Sequence, residues 1–421
     1  MNSAATSERC GATMKAKAPS FIDRLAKQMV FRLLGAIQFG QIVVRDGADQ
    51  WTFGPDESLA AHITVRDSSF YRQVVFGGSI GAGEAYIDHS WDCDDLVVLS
   101  RIMVLNMDLL DSMERGLGWV LQIFRIMSHA VNSNSRKGSK RNILAHYDLG
   151  NEMYRAFLDP TMMYSSAIYA NGSSTLEEAS HYKLETICKK LDLRATDRII
   201  EIGSGWGGFA IHAAGNYGCH VTTTTISDAQ YAEAKSRIEA AGLTDRITLL
   251  QNDYRDLHGS FDKLVSIEMV EAVGRKYLPT FFKKCSELLA ENGTMLLQAI
   301  TIRDNKYDQY ARSVDFIQRH IFPGGHVPSV TKMVNLLTEK TDMVVRSLED
   351  FGLDYARTLR DWRWRFAKAF PSLREHGYDE RFRRLWEFYL CYCEGGFQER
   401  SISVVHLVAS RPGNRDGTVG R

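Results

Sequence analysis

The chain lacks the marks of several protein classes. No apolar run reaches the ~20 residues a bilayer-spanning helix needs, so membrane contact is expected only at the surface. Met1 to Ser20 is polar and has no apolar segment of secretory-signal type. Neither sign of charge is in excess: Lys+Arg and Asp+Glu both number 51, which points to no nucleic-acid partner and no strongly acidic one. The seven cysteines are scattered, at 10, 93, 188, 219, 285, 391 and 393. None forms a CxxC pair or a Cys/His cluster, so no metal site is expected and a reducing cytoplasm fits. Cys391-x-Cys393 reads as buried apolar filling.

What is present divides the chain. A length of 421 residues suits two domains. Residues 1–19 read as disordered. Residues 20–131 read as a small α+β domain. In it, Phe21 to Leu34 has helical spacing with Arg24, Lys27, Gln28 and Arg32 between its apolar residues, the pattern of a core-packing helix that could alternatively lie on lipid. Ile42 to Val44, Ala60 to Val65 and Val74 to Phe76 read as strands, punctuated by Gly77-Gly78 and Gly81-Ala82-Gly83. Leu96 to Leu110 reads as a helix. Residues 132–141 (Asn-Ser-Asn-Ser-Arg-Lys-Gly-Ser-Lys-Arg) read as a basic linker, and 413–421 as a disordered tail.

From 142 to 412 strands and helices alternate. Strands are expected at Arg198–Ile202, His220–Ile226, Ile247–Gln251, Lys263–Ile267, Thr294–Ile302 and Ser401–Val408. Helices are expected at Leu176–Leu191, Ala229–Ala241 and Tyr277–Leu289. The fold class is therefore α/β: a Rossmann-like, mostly parallel sheet with an antiparallel last strand. The aromatic-rich segment 303–395 is long enough to cover a substrate.

Arg198-Ile-Ile-Glu-Ile-Gly-Ser-Gly-Trp-Gly-Gly-Phe209 is the centre of that pattern. An apolar strand breaks into glycines and continues as a helix, which gathers backbone N–H groups at one point. Gly203, Gly205 and Gly208 satisfy G-x-G-x-x-G, which close strand–helix packing alone could also explain. A nicotinamide site expects an acid about 20 residues on. Val221 to Ser227 has none, and the first is Asp228. Glu201 before the glycines gives E-x-G-x-G-x-G-G, which resembles the first motif of S-adenosylmethionine-dependent methyltransferases.

Further stretches resemble one family, the cyclopropane-fatty-acyl-phospholipid synthases and their fatty-acid methyltransferase relatives. They are His146-Tyr-Asp-Leu-Gly-Asn151, Met163-Tyr-Ser-Ser-Ala167, Thr225-Ile-Ser227, Asp253-Tyr-Arg-Asp-Leu257, Ser266-Ile-Glu-Met-Val-Glu-Ala-Val-Gly274, Ile321-Phe-Pro-Gly-Gly325 and Asp350-Phe-Gly-Leu-Asp-Tyr355. The resemblance spans roughly 140–410 and is similar to the plant-type branch. It implies a donor site of Tyr164, Ser165, Glu201, Gly203, Ser204, Gly205, Trp206, Gly207, Gly208, Thr225, Ser227, Gln230, Tyr254 and Arg255. Many members hold a bicarbonate ion with Cys, Glu, His, an Ile backbone group and Tyr. The matching positions here are Ser166, Glu271, Gln298, Ile300 and Tyr355, so two of the five differ, and bicarbonate stays a candidate ligand.

The implied reaction adds a methylene bridge across the double bond of an unsaturated acyl chain in a membrane phospholipid. Alternatives are a fatty-acyl C-methyltransferase giving methyl-branched or exomethylene chains, and a non-catalytic lipid- or S-adenosylmethionine-binding protein. The chain's own part is expected to be a base, Glu271, acting directly or through bicarbonate and oriented by Tyr355, with Tyr355 or Glu268 the next residue to test. Tyr164, Phe316, Phe322 and Trp206 are the aromatic faces expected near a cationic intermediate. The expected setting is cytoplasmic and peripheral to the membrane, with a homodimer left open.

Overall fold

The computed structural model describes residues 20–108, 150–170 and 174–415. The expected disordered N-terminus, the 132–141 linker and the His146–Leu149 part of its motif lie outside these.

The first helix, Phe21–Leu34, starts at a capping box in which the Ser20 and Asp23 side chains each bond the other's backbone N–H. One stripe of it (Ala26, Val30, Leu34) is buried, as expected of a packing helix. The apolar residues at its N-terminal end are not: Phe21 is 74 % exposed, Ile22 52 % and Leu25 51 %. Strands β1 (Gln41–Asp46), β2 (Asp49–Phe53), β3 (Ala60–Val65) and β4 (Trp91–Cys93) form a sheet in the order β2-β1-β3-β4. The expected strand at Val74 to Phe76 is corrected: these residues lie in the helix Ser69–Ile87. The β-branched pair sits one turn after the buried Phe70 and Tyr71, so helical spacing against the core overrides strand propensity. The glycines do not end that helix. They let it kink at Gly78, where φ is +55°. The helix from Leu96 runs to Leu105.

The larger sheet has seven strands: β5 (Arg198–Ile202), β6 (His220–Thr224), β7 (Ile247–Leu250), β8 (Phe261–Ile267), β9 (Leu289–Ile302), β10 (Val344–Asp350) and β11 (Ile402–Ser410). Their order is β10-β11-β9-β8-β5-β6-β7. All pairs from β9 to β7 are parallel, and β11 runs antiparallel to both neighbours. Parallel strands covered on both faces read as unbroken apolar runs, which is why Ile199 to Ile202 was legible. β10 was missed: it is an edge strand with no buried residue, and only its register with β11 defines it.

The segment between β9 and β11 contributes β10 and two long helices, Gly352–Glu375 and Glu380–Gln398. Those helices share one apolar core with the N-terminal helices. The Arg384 guanidinium is buried in that contact. It donates to the Tyr86 and Trp91 carbonyls, pairs with Asp92 at 2.9 Å, and lies 3.7 Å from the Tyr86 ring centre.

Chain order reverses around β5: β6 and β7 lie to one side, β8 and β9 to the other. Such a switch point opens a crevice at the carboxyl ends of the two central strands. The segments leaving β5 and β8 are Gly203 to Gly207 and Glu268 to Glu271, and they meet there.

Candidate active site

The crevice is part of a cavity of about 1800 Å³ that reaches from the glycine turn into the apolar interior of the N-terminal part. On the β5 side, Gly203, Gly205 and Gly207 all have positive φ. A Cβ added to Gly205 would meet nothing within 4 Å, so its backbone faces open space. Gly203, Ser204, Gly205 and Trp206 line the cavity, whereas Gly207 and Gly208 stand behind it and shape the turn. Gly208 opens the helix Gly208–Tyr217, and a Cβ there would lie 2.6 Å from the Thr161 carbonyl.

Glu201 is buried at the strand end and accepts from Thr223 Oγ1 at 2.6 Å. Burial pushes its carboxyl up to about 8. Thr225 and Gln230 are hydrogen-bonded at 3.0 Å on the cavity wall. Ser227 does not line the cavity. Its hydroxyl caps the helix Asp228–Ala240 by accepting from the Gln230 N–H, which fixes Gln230. Tyr254 and Arg255 line the far side. Arg255 is paired with Asp253 at 2.5 Å, and the buried Tyr254 hydroxyl has no hydrogen-bond partner among the described residues. Tyr164 Oη lies 2.9 Å from Tyr389 Oη, with the Trp362 ring 5.3 Å away. Ser165 accepts from the fully buried Lys183 at 2.7 Å.

This cradle suits S-adenosylmethionine. Open backbone at Gly205 admits a flat group, and the Glu201 carboxylate and Thr225–Gln230 offer partners for an ammonium and hydroxyls. The Tyr254 hydroxyl still lacks a partner, and the Tyr164 ring can face a sulfonium. When bound, that molecule supplies an electrophilic methyl group.

Two carboxylates come from the segment after β8. Glu268 adopts φ +47°, a left-handed conformation uncommon for a residue with a side chain, and its N–H donates to the Gln298 carbonyl. Its Oε1 accepts from the Ser166 N–H and from Gln298 Nε2, both at 2.8 Å, and its Oε2 from Tyr355 Oη at 2.8 Å. Burial raises its pKa, opposed by Gln298, Lys183, Ser166 and Tyr355. Glu271 accepts from the Ile300 N–H with Oε1, while its buried Oε2 has no partner among the described residues. Burial and then the neighbouring Glu268 charge push its carboxyl up to about 8. Tyr355 therefore orients Glu268, where the sequence pointed to Glu271.

The five residues expected around bicarbonate do come together, but their donors are taken. Ser166 Oγ donates to the Ala167 carbonyl, and Gln298 Nε2 to Ser166 O and Glu268. Tyr355 is held by Glu268, and Ile300 N–H by Glu271. Ser166 and Gln298 are fully buried and do not line the cavity. The set does not fit the ion.

Behind Gln298 a buried chain continues. His406 Nε2 lies 3.0 Å from Gln298 Oε1, and its Nδ1 lies 2.9 Å from Lys190 Nζ, which pairs with Glu349 on β10. Burial, with Lys190 and Lys183 nearby, keeps the His406 pKa well below its ordinary value. The imidazole is neutral, with its proton on Nε2 toward the amide oxygen. Sequence reasoning missed Lys183, Lys190 and His406. Lys183 had a signal: it falls on the buried stripe Leu176, Ala179, Ser180, Leu184, Ile187 of the helix Leu176–Lys190. Of the aromatic candidates, Tyr164, Trp206 and Phe322 line the cavity. Phe316 packs instead against Phe388 and His320, 4.7 and 4.9 Å away.

A seven-stranded, mostly parallel sheet with a glycine cradle at its switch point defines an S-adenosylmethionine-dependent methyltransferase. The model of the mycolic acid cyclopropane synthetase family matches residues 134–407. The chain belongs to that family. It is 38% identical over 355 residues to the cyclopropane-fatty-acyl-phospholipid synthase of Escherichia coli K12, covering 84% of this chain and 89% of that one. It is 33% identical over 381 residues to the tuberculostearic acid methyltransferase of Mycobacterium tuberculosis, covering 89% and 88%. The solved structure of mycolic acid cyclopropane synthase CmaA1 complexed with SAH and CTAB superposes with a TM-score of 0.60 at 26% identity, over 64% of this chain and 98% of that one. The protein thus uses S-adenosylmethionine to transfer a methylene or methyl group to lipid chains.

Proposed function

We propose that the protein adds a methylene bridge across the double bond of unsaturated acyl chains in membrane phospholipids, forming cyclopropane fatty acids. One observation carries this reading: the two partly buried carboxylates and the donor cradle open on the same apolar cavity, which extends to the N-terminal helices. A carbon–carbon double bond is a weak nucleophile, so alignment is the protein's first contribution, worth roughly 7–11 kcal/mol in well-held reactants. The apolar walls keep water from an acyl-chain cation. Tyr164, Phe322 and Trp206 can each stabilise it by about 0.5–2 kcal/mol. Closing the ring requires loss of a proton from the added carbon, and the Glu268–Glu271 pair supplies the acceptor.

No helix among the described residues is long and apolar enough to cross a membrane. The exposed Phe21, Ile22 and Leu25, with Phe76 50 % exposed, support contact at the bilayer surface. A methyl-branched product is the second reading, favoured by the tuberculostearic acid methyltransferase relative. The two share the cation and differ in which proton leaves.

Lipids from cells expressing the protein decide between them by mass spectrometry and proton NMR. A gain of one CH2 with upfield ring protons is expected. A branched-methyl doublet or vinylidene signal would replace the cyclopropane reading with the alternative, and unchanged lipids would remove both.

A further inference from the structure

We infer that Glu268 is the proton acceptor of this reaction, a carboxylate built into the chain at the place where an exchangeable bicarbonate ion was expected. The inference rests on the methylene-transfer reading and goes further by naming the base.

Three donors converge on one carboxylate: the Ser166 N–H, Gln298 Nε2 and Tyr355 Oη, each at 2.8 Å. Three of the five positions expected to hold a free anion thus hold Glu268. A carboxylate has about four acceptor positions. Three are filled, and Glu268 lines the cavity, so the remaining capacity faces the space where the acyl chain would lie. Glu271 differs. Among the described residues it receives hydrogen bonds from the Ile300 N–H and its own N–H alone, and its Oε2 is buried without a partner. A carboxylate so poorly solvated keeps its proton beside a charged neighbour. A free bicarbonate would bring a further negative charge against this pair in a water-poor cavity, where the Ser166 N–H, Gln298 Nε2 and Tyr355 Oη are already committed to Glu268.

The backbone supports the same assignment. β8 ends at Ile267, and the left-handed turn at Glu268 re-aims the chain so that the side chain enters the donor cluster. Strain of this kind persists where the surroundings over-determine it, and it concentrates at functional sites. In the reaction, one C–H bond of the added carbon breaks. Its electron pair closes the third ring bond onto the neighbouring cationic carbon, and the proton passes to a Glu268 oxygen. The cation is consumed, the carboxylate becomes a carboxylic acid, and release of that proton to solvent resets the site.

The test uses the full chain with dioleoylphosphatidylethanolamine–dioleoylphosphatidylglycerol vesicles, following release of S-adenosylhomocysteine. Wild type should keep its rate within about twofold in degassed, bicarbonate-free buffer, because its base is covalent. Glu268→Gly should lose roughly 10²–10⁴ in turnover, the usual worth of a positioned base, while calorimetric S-adenosylmethionine affinity is kept. Added bicarbonate or acetate should restore at least about tenfold by filling the vacated donors. A wild-type rate that collapses without bicarbonate and returns with it would overturn the inference. So would a Glu268→Gly or Glu268→Gln enzyme as fast as wild type. If Glu268→Gly does not fold, the bicarbonate arm on wild type still decides. Wild type that turns over no unsaturated lipid under any condition would instead remove the methylene-transfer reading, and the inference with it.

Discussion

Tyr355 Oη donates to Glu268 Oε2 at 2.8 Å, joining a long helix of the cover to the turn after the central strand β8. This bond favours the ionised carboxylate. Tyr355→Phe removes it with little change in shape. Loss of a hydrogen bond to a charged group is worth about 1.5–3 kcal/mol, so turnover should fall by roughly 10–150-fold. The Glu268 carboxyl should titrate higher, and the rising limb of the pH–rate profile should move to higher pH. A rate loss with an unmoved profile would assign Tyr355 a packing role only.

Gly205→Val should abolish S-adenosylmethionine binding. The residue has φ +50°, and its missing Cβ faces open cavity. A branched side chain would fill that space and strain the turn by roughly 1–3 kcal/mol. Titration calorimetry should show no binding, and circular dichroism an intact fold. Binding at wild-type affinity would refute the cradle.

The unliganded protein should lose stability as pH rises from about 5 to 8. Burial lifts the carboxyls of both Glu201 and Glu271 to about 8 in the folded state. A carboxyl raised in this way holds its proton more tightly when folded. Its contribution is complete below the unfolded value and is lost as pH climbs through the folded one. Glu201 faces Thr223, and Glu271 faces Glu268, Tyr310 and the Ile300 N–H. Lys183, pushed down to about 8 by burial, acts in the opposite sense above that window. Thermal midpoints should fall across it, and Glu201→Gln should flatten the slope. An equal slope in the variant would count against a raised Glu201.

Arg384→Ala should destabilise the N-terminal part and the catalytic part together. The guanidinium is 5 % exposed and ties the Tyr86 and Trp91 carbonyls and Asp92 to the helix Glu380–Gln398. Asp92 is partly exposed, so the cost comes mainly from the two carbonyls that lose a buried charged donor, about 1.5–3 kcal/mol for each hydrogen bond. Scanning calorimetry should show one transition shifted down. A split into two transitions would mean that the parts fold independently.

Much of this fold was legible because parallel strands buried on both faces leave continuous apolar runs, and β5 matched its expected bounds residue for residue. The glycine turn was legible because positive φ and close approach require particular residues. What could not be read depended on partners distant in sequence. β10 has no buried residue and exists through β11. Val74 to Phe76 took its conformation from the helix it continues. In the site, the motifs located Glu268, Glu271, Gln298 and Tyr355, but which carboxylate Tyr355 serves was fixed by the left-handed turn at Glu268.

The chain Glu349–Lys190–His406–Gln298–Glu268 has a direction. Lysine can only donate, so His406 accepts at Nδ1 and donates from Nε2. Gln298 must then turn its oxygen to the imidazole and its amine to Glu268, and it cannot flip without breaking both contacts. Every dipole along the row points the same way, from an ammonium at the sheet's edge to the carboxylate in the cavity. Glu349, on an exposed edge strand, partly neutralises that ammonium. The outer edge of the sheet is thus linked to Glu268 by one ion pair and an unbroken row of hydrogen bonds, so a change of charge at Glu349 should be felt at that carboxyl without anything entering the cavity.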